Sequence, residues 1–318
     1  MNQEKNRVFI TGGAGFIGSH LVDRLMTNNF KKITVYDNLT DGSVSNIAHH
    51  LSNSTFHFIE GDLADFDLLK ESIKGHDFIF HFAANTDNRN ETELPTDLQI
   101  KGNIQNTYNV LEAMRLNSIR NIIFPSSATV YGDSNKPFAE NFGPLLPTSL
   151  YGASKLTGES FISSFHYLFG INAWIFRFSN IVGSRMNHGV IFDFISKLKK
   201  NPKSLEILGD GKQRKPFVHV QECIDAILYT ITRLENGLHL FNIGVKGSSE
   251  INEIAKIVIK EMKLNEVRIN YTGGKKGWIN DVPILKFNIR KLQELGWTTE
   301  LTSDQAVKKA VIDLLTEK

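Results

Sequence analysis

Two short segments hold residues whose types and spacing could do chemistry: TGGAGFIG, from Thr11 to Gly18, and YGASK, with Tyr151 and Lys155 four residues apart. In the first, Gly12, Gly15 and Gly18 are spaced by three, and Gly13, Gly15 and Gly18 also meet the two-then-three spacing. Glycine there permits a tight turn, lets backbone approach a pyrophosphate, and points the N-terminus of the next helix at the phosphates. A tight turn without a ligand is the bland alternative. Asp37 argues against it, because it closes the second strand about twenty residues on, where an acid bonds ribose hydroxyls. An acid at that place repels a 2′-phosphate, and Asn38 rather than arginine follows it, so NAD is expected rather than NADP. Asp62-Leu63 follows the third strand, placed for the adenine edge, although Asp62 alone could be a helix N-cap. Phe82-Ala83 ends the fourth strand with a small residue where backbone can touch the cofactor.

The second segment needs the first. Tyr151 and Lys155 share a helix face. A free phenol has a pKa of about 10, too high for a base at neutral pH. A neighbouring ammonium, helped by a positively charged nicotinamide, stabilises the phenolate. Tyr151 could then take the proton of a sugar hydroxyl while hydride leaves the same carbon. Upstream, PSSATVYG puts Ser126 and Ser127 at the end of a strand, where a hydroxyl can donate to or relay a proton from the substrate oxygen. The bland alternative makes Tyr151 an ordinary amphipathic residue and the serines turn formers.

These residues require particular elements to hold them. Apolar runs read as strands at Arg7 to Thr11, Lys32 to Tyr36, Thr55 to Glu60, Phe78 to Phe82, Asn121 to Pro125 and Ala173 to Phe178, with a later one near Leu240 to Ile243. Helical spacing is expected from the glycine turn to about Met26, at Asn103 to Leu116 and at Tyr151 to Phe169. Strand–helix alternation predicts an α/β, Rossmann-like, doubly wound parallel sheet. We expect residues 1–179 to form the dinucleotide-binding domain. Residues 180–318, looser and rich in Gly, Pro and Asn loops, would form a smaller α/β lobe for substrate, some of its elements returning to the sheet.

The chain has 318 residues and a formal net charge of +2, with Lys and Arg scattered, so nothing in the charge favours nucleic acid or a membrane surface. Its one cysteine, Cys223, sits in an apolar helical pattern and reads as buried filler; with no leader or membrane-length apolar run, a cytoplasmic location is expected. His49, His50, His57 and His166 are not at metal-ligand spacing, so surface or packing roles and no metal are expected. His81 ends a buried strand, where a structural hydrogen bond is the better reading.

TGGAGFIG, Asp37, Asp62, HFAAN (His81 to Asn85), Asn103, SSATVYG (Ser126 to Gly132), YGASK and RFSNIVG (Arg177 to Gly183) together resemble the extended short-chain dehydrogenases/reductases acting on nucleotide sugars. The resemblance runs from Val8 to Trp297 and is nearest the UDP-glucose 4-epimerases of archaeal type, through NIVGSRMNHGVIFDFI, LEILGDGKQ and GWINDVP. It implies that Ser127, Tyr151 and Lys155 are the catalytic triad. It implies that Phe16, Ile17, Asp37, Asn38, Asp62, Leu63, Phe82, Ala83, Asn103 and Lys155 hold NAD, with Phe178 near the nicotinamide. It places Asn180 at the diphosphate-sugar, His188, Gly189 and Val190 at the base, and Gln213, Lys215 and Phe217 along the nucleoside and diphosphate. The NTDNR stretch from Asn85 to Arg89 would face the sugar. A homodimer through the helices at Asn103 to Leu116 and Tyr151 to Phe169 is also implied.

Within that family, dehydratases and decarboxylases carry acids just after the hydroxyl residue; here stand Ala128 and Thr129. Removing water needs a proton donor and a base beyond the tyrosine. What remains is oxidation at carbon four, rotation of the 4-keto intermediate and return of hydride to its other face, which is epimerisation. UDP-glucuronate 4-epimerisation, another reaction of the family, and an NAD-binding sensor are the rival readings; a sensor needs none of Ser127, Tyr151 and Lys155. The sequence also departs from the family. Lys215-Pro216 replaces a usual arginine and acid, and lysine cannot clamp a diphosphate bidentately. Gln221 replaces an aspartate, Asn280 a glycine, and Lys276 stands in for an absent arginine. Leu285, near the position that limits bulk at the sugar 2-position, admits N-acetylhexosamines.

Overall fold

The alternation is realised in a computed structural model that describes residues 6–28, 30–87 and 91–317. In chain order the elements are β1 (Arg7–Thr11), α1 (Phe16–Met26), β2 (Lys32–Asp37), β3 (Phe56–Glu60), α2 (Phe66–Ser72), β4 (Phe78–His81), α3 (Asn106–Leu116), β5 (Asn121–Ser127), α4 (Leu150–Phe169) and β6 (Asn172–Phe178). There follow β7 (Asn180–Val182), α5 (Val190–Lys200), β8 (Ser204–Ile207), β9 (Arg214–Lys215), β10 (Phe217–His219), α6 (Val220–Arg233) and β11 (Leu238–Ile243). The chain closes with β12 (Ser249–Glu250), α7 (Ile251–Glu261), β13 (Arg268–Tyr271), α8 (Arg290–Glu294) and α9 (Ser303–Thr316). One compact unit comprises Met1–Val130, Leu146–Arg177 and Ile227–Phe241; the other comprises Tyr131–Leu145, Phe178–Ala226 and Asn242–Lys318.

The first unit is built on a seven-stranded sheet ordered β11-β6-β5-β4-β1-β2-β3. β1 pairs in parallel with β2 and β4, β2 with β3, and β4 with β5. Helices on both faces explain why the strands are apolar throughout: Val8, Phe9 and Ile10 of β1 and Ile79 and Phe80 of β4 have no exposed surface. α1 buries Leu21, Val22 and Leu25. Leu69, Val110, Leu111, Met114, Ile162 and Phe165 join one core cluster from α2, α3 and α4. The strand order reverses between β1 and β4, and ligands of such sheets bind beyond the strand ends at that reversal. Two details differ from the sequence reading. β5 runs on to Ser127, placing both serines on the strand. Ile100–Gln105 winds as a π-helix before α3, and the wider turn carries Asn103 inward to a nearly fully buried position.

The second unit has short strand pairs rather than one sheet: β7 with β10, β8 with β13, and β9 antiparallel to β12. Its hydrophobic faces come from α5 (Ile191, Phe194, Ile195, Leu198), α7 (Ile254, Ala255, Val258) and α9 (Ala306, Val307, Ala310, Val311). Tyr131 stacks on Phe138 with ring centroids 4.8 Å apart, and its hydroxyl donates to Asn242 Oδ1 at 2.7 Å. Among the described residues no helix is long and apolar enough to cross a membrane.

Candidate active site

The glycine turn after β1 leaves no room for side chains. Gly12 has φ +71°, and a Cβ there would lie 2.5 Å from Ala83 N. A Cβ on Gly18 would lie 2.1 Å from Gly12 O. Gly15 caps α1 without a side-chain partner, and no acid stands in the first helical turn. The leading N–H groups of such a helix have no intrahelical acceptor. The result is a backbone cradle, which a Cβ at Gly12 or Gly18 would fill, opening on a helix N-terminus. It fits a dinucleotide pyrophosphate.

Asp37 ends β2 beside this cradle. Its Oδ2 accepts from Ala14 N at 2.9 Å and its Oδ1 from Leu39 N at 2.8 Å. Burial pushes its carboxyl above the ordinary value, with the two backbone bonds opposing. Asn38 Nδ2 donates to Asp62 Oδ2 at 2.9 Å, which joins the two polar residues read as cofactor contacts. Asp62 is not the cap of α2; Asp65 is, accepting from Leu68 N. Leu63 is buried and its carbonyl accepts from Asn109 Nδ2 at 2.8 Å. Phe82 and Ala83 are half-buried just beyond β4. His81 bridges Thr11 Oγ1 (2.8 Å) and Thr107 Oγ1 (3.1 Å), and burial pushes its pKa down to about 3, so the ring is a neutral structural hydrogen-bonder.

Ser127, Tyr151 and Lys155 come together in the first unit, at the end of β5 and the start of α4. Ser127 Oγ accepts from Thr129 N at 3.2 Å and from Thr129 Oγ1 at 2.9 Å. Two donors at its oxygen turn the Ser127 hydrogen elsewhere, and Ser127 acts on the Tyr151 hydroxyl to lower its pKa. The Tyr151 residue keeps partial exposure while its hydroxyl is enclosed. That burial pushes its pKa up to about 12, the Ser127 bond acting the other way. Lys155 is 5 % exposed; Nζ donates to Pro125 O at 2.9 Å and lies 4.8 Å from the Phe124 ring centroid and 6.0 Å from that of Tyr151. Burial pushes its pKa down to about 8, with Glu159 opposing. The sequence reading expects the ammonium to lower the phenol; in the chain alone burial raises it, and Ser127 rather than Lys155 opposes. Lys155 spends its hydrogen bond on a carbonyl, and desolvation weakens its own charge.

Several neighbours hold the triad in place, of which Glu91, Glu159 and the Arg177 side chain carried no signal in the sequence. Ser126 faces away from Ser127: its hydroxyl donates to Glu159 Oε1 at 2.5 Å, and Arg177 grips Glu159 through Nε at 2.9 Å and Nη2 at 2.6 Å. This buried network pins β5, α4 and β6 together behind the triad. Glu91 accepts from Leu150 N at 3.0 Å and Tyr151 N at 2.7 Å, placing a carboxylate on the N-terminus of α4. Asn103 Oδ1 accepts from Asn85 N at 2.8 Å while Nδ2 reaches Asn85 O, Gln99 Oε1 and Ser154 Oγ. Its side chain therefore braces the loop at Asn85 against α4. Of the NTDNR stretch, positions 88 and 89 lie outside the described residues.

In the second unit Phe178 is buried, and Asn180 directs both N and Nδ2 to Pro216 O at 3.3 and 3.1 Å. His188 bonds Asn187 Oδ1 at 2.8 Å; Gly189, with φ +98°, precedes α5, which opens with Val190. Gln213 is 3 % exposed, with Nε2 on Leu208 O at 3.1 Å and Oε1 buried without a partner. Lys215 is ion-paired with buried Asp281 and sits 4.6 Å from the Trp278 ring centroid, so the GWINDVP stretch already holds its charge. Phe217 is buried and its N donates to Ser303 Oγ at 3.1 Å. Lys276 Nζ lies 3.7 Å from Asp133.

A doubly wound sheet with a glycine cradle and a Ser-Tyr-Lys set at its strand ends defines a nicotinamide-dependent enzyme fold. Residues 8–244 match the NAD dependent epimerase/dehydratase family, and the chain belongs to it. Its cofactor is NAD. A Methanocaldococcus jannaschii protein named "Putative UDP-glucose 4-epimerase" is 37% identical over 314 residues, covering 96% of this chain and 97% of that one. UDP-glucuronic acid decarboxylase 2 of Arabidopsis thaliana is 32% identical over 319 residues, 96% of this chain and 68% of its own. A crystal structure of UDP-galactose 4-epimerase superposes with a TM-score of 0.86 at 35% identity, covering 97% of this chain and 98% of that one.

Proposed function

We propose that the protein is a nucleotide-sugar 4-epimerase, an isomerase acting on UDP-hexoses of the glucose/galactose type. The observation that carries this reading lies beside Ser127. Ala128 is 8% exposed and Thr129 spends its hydroxyl on Ser127 Oγ, so no acid stands where water removal from carbons five and six would need one. The names of the relative from M. jannaschii and of the UDP-galactose 4-epimerase structure support the same class.

NAD, when bound, supplies the hydride acceptor and a positive charge beside the phenol. Gly12, Gly15, Phe16, Ile17 and Gly18 receive its pyrophosphate, Asp37 and Asn38 its ribose, and Asp62 and Leu63 its adenine. Phe82, Ala83, Lys155 and Phe178 line the remainder, with Asn103 bracing Asn85. Tyr151 takes the 4-hydroxyl proton and gives it back, while Ser127 holds the substrate oxygen. Asn180, His188, Gly189, Val190, Gln213, Lys215, Phe217 and Lys276 hold the nucleotide and diphosphate, and Asn85 faces the sugar. We further propose a cytoplasmic homodimer through α3 and α4, which expose Tyr108, Leu116, Tyr167 and Leu168; a monomer in sedimentation velocity would reject the dimer.

The test is incubation with UDP-glucose, UDP-galactose, their N-acetyl forms and UDP-glucuronate, followed by NMR. Interconversion of the 4-epimers is expected, and Tyr151→Phe should lower it by about 10²–10⁴-fold with NAD still bound. A 6-deoxy-4-keto product would overturn the reading.

A further inference from the structure

α1 carries Asp23 on the side facing a turn formed by Ala48–His50. Two imidazoles from consecutive residues converge on one carboxylate oxygen: His49 Nε2 lies 2.8 Å and His50 Nε2 2.7 Å from Asp23 Oδ1. Consecutive residues do not face the same way on an α-helix. Here the 3₁₀ turn, entered through Ile47 at φ −125° and ψ −1°, brings both rings to one side with centroids 4.0 Å apart. The three candidate donor atoms lie within 4.8 Å of one another. The site is open on one side and firm on the other: the His49 side chain is 50% exposed, His50 only 15%, and the His50 ring packs 5.7 Å from Phe56.

We propose that Asp23, His49 and His50 bind a divalent transition-metal ion of the Zn²⁺ class. Two imidazole nitrogens and one carboxylate oxygen suit such an ion and leave a fourth position for water. Tetrahedral bonds of about 2.0–2.2 Å require donors about 3.3 Å apart, so each His–Asp23 pair opens by about half an ångström while the two rings settle to the same spacing. Each ring then presents the Nε2 lone pair, its hydrogen carried on Nδ1. Mg²⁺, which wants oxygen donors in octahedral array, does not fit.

The ion would bracket a particular segment. Ser43 N and Asn46 Nδ2 both donate to Ala14 O, at 3.0 and 2.8 Å, and a Cβ on Gly42 would lie 2.9 Å from Ala14 C. Residues 42–50 thus run from the glycine turn to the turn that bears the histidines, and the metal fixes the far end of that run to α1.

The untagged, EDTA-treated chain is titrated with Zn²⁺ by calorimetry, with Mg²⁺ in parallel, and hydrogen exchange is followed over residues 42–51. One equivalent of Zn²⁺ at micromolar affinity, none of Mg²⁺, and slowed exchange in that segment are expected. Asp23→Asn, His50→Gln and the half-exposed His49→Gln should each weaken Zn²⁺ by about tenfold or more, and the exposed His57→Gln should not. Absence of micromolar binding, or one-equivalent binding unchanged in His49→Gln and Asp23→Asn, overturns the proposal.

Discussion

Lys155→Met is expected to make the chain more stable at neutral pH while removing turnover. Burial moves the ammonium from its ordinary 10.5 to about 8. At 1.36 kcal/mol per decade this is a penalty of about 3 kcal/mol on the charged form at pH 7. Methionine has similar length and no charge to desolvate. Against that, Pro125 O loses its donor, at a cost of about 1–2 kcal/mol, so the net gain at pH 7 is about 1 kcal/mol. The pH dependence is the sharper signature. Between about 8 and 10.5 the unfolded lysine holds a proton that the folded one has released, so wild-type stability rises with pH there and the penalty fades. The difference between wild type and variant should therefore swing by about 2–3 kcal/mol toward the wild type from pH 7 to pH 10. Urea unfolding at pH 7, 8.5 and 10, with NAD content matched, measures it; taking the difference cancels every other titration the proteins share. A stability difference that stays constant across that range would refute the reasoning.

Gly18→Ala should abolish NAD retention and cost about 2 kcal/mol or more, because the new methyl would sit 2.1 Å from the backbone oxygen of Gly12; cofactor released on denaturation and a urea melt read both effects. His76, bonded to Thr34 Oγ1 at 2.9 Å and to Ile73 O at 3.0 Å, is pushed down to about 4 by burial. The unfolded ring takes its proton near 6.5, the folded one only near 4, so stability should fall by about 3 kcal/mol as pH drops through that window. His76→Gln should flatten the fall by that amount in urea midpoints between pH 7 and 4, and an unchanged slope would count against it.

The scaffold was legible because periodicity reports burial. Apolar runs in β1, β4 and β5 needed cover on both faces, and the glycine turn needed a strand before it and a helix after it. Partners are another matter, since a partner is fixed by the fold and not by local pattern. Lys215 and Asp281 are 66 residues apart, and nothing in either segment announces their ion pair. His49 and His50 meet Asp23 across more than twenty residues, so spacing along the chain could not detect their convergence. The two serines were separable in principle. With β5 extended to Ser127, alternation along the strand puts them on opposite faces, and only one can reach Tyr151 while the other joins Glu159.

The displaced ionisations of Tyr151 and Lys155 bear on how such a site works. Taken alone, the chain holds Tyr151 as a phenol, with burial pushing it up to about 12, and makes the Lys155 charge costly. A buried phenol held up by desolvation is a resting acid, not a resting base. It becomes a base only when positive charge enters beside it, and it regains its proton when that charge goes. An epimerase needs this alternation twice in each cycle, first to accept the 4-hydroxyl proton and then to return it. A tyrosine already ionised would ease the first step and impede the second. On the proposed reading, Thr129, whose N and Oγ1 both donate to Ser127 Oγ, leaves the Ser127 hydrogen for the reacting oxygens, a task that a hydroxyl at position 129 serves and an acid would not.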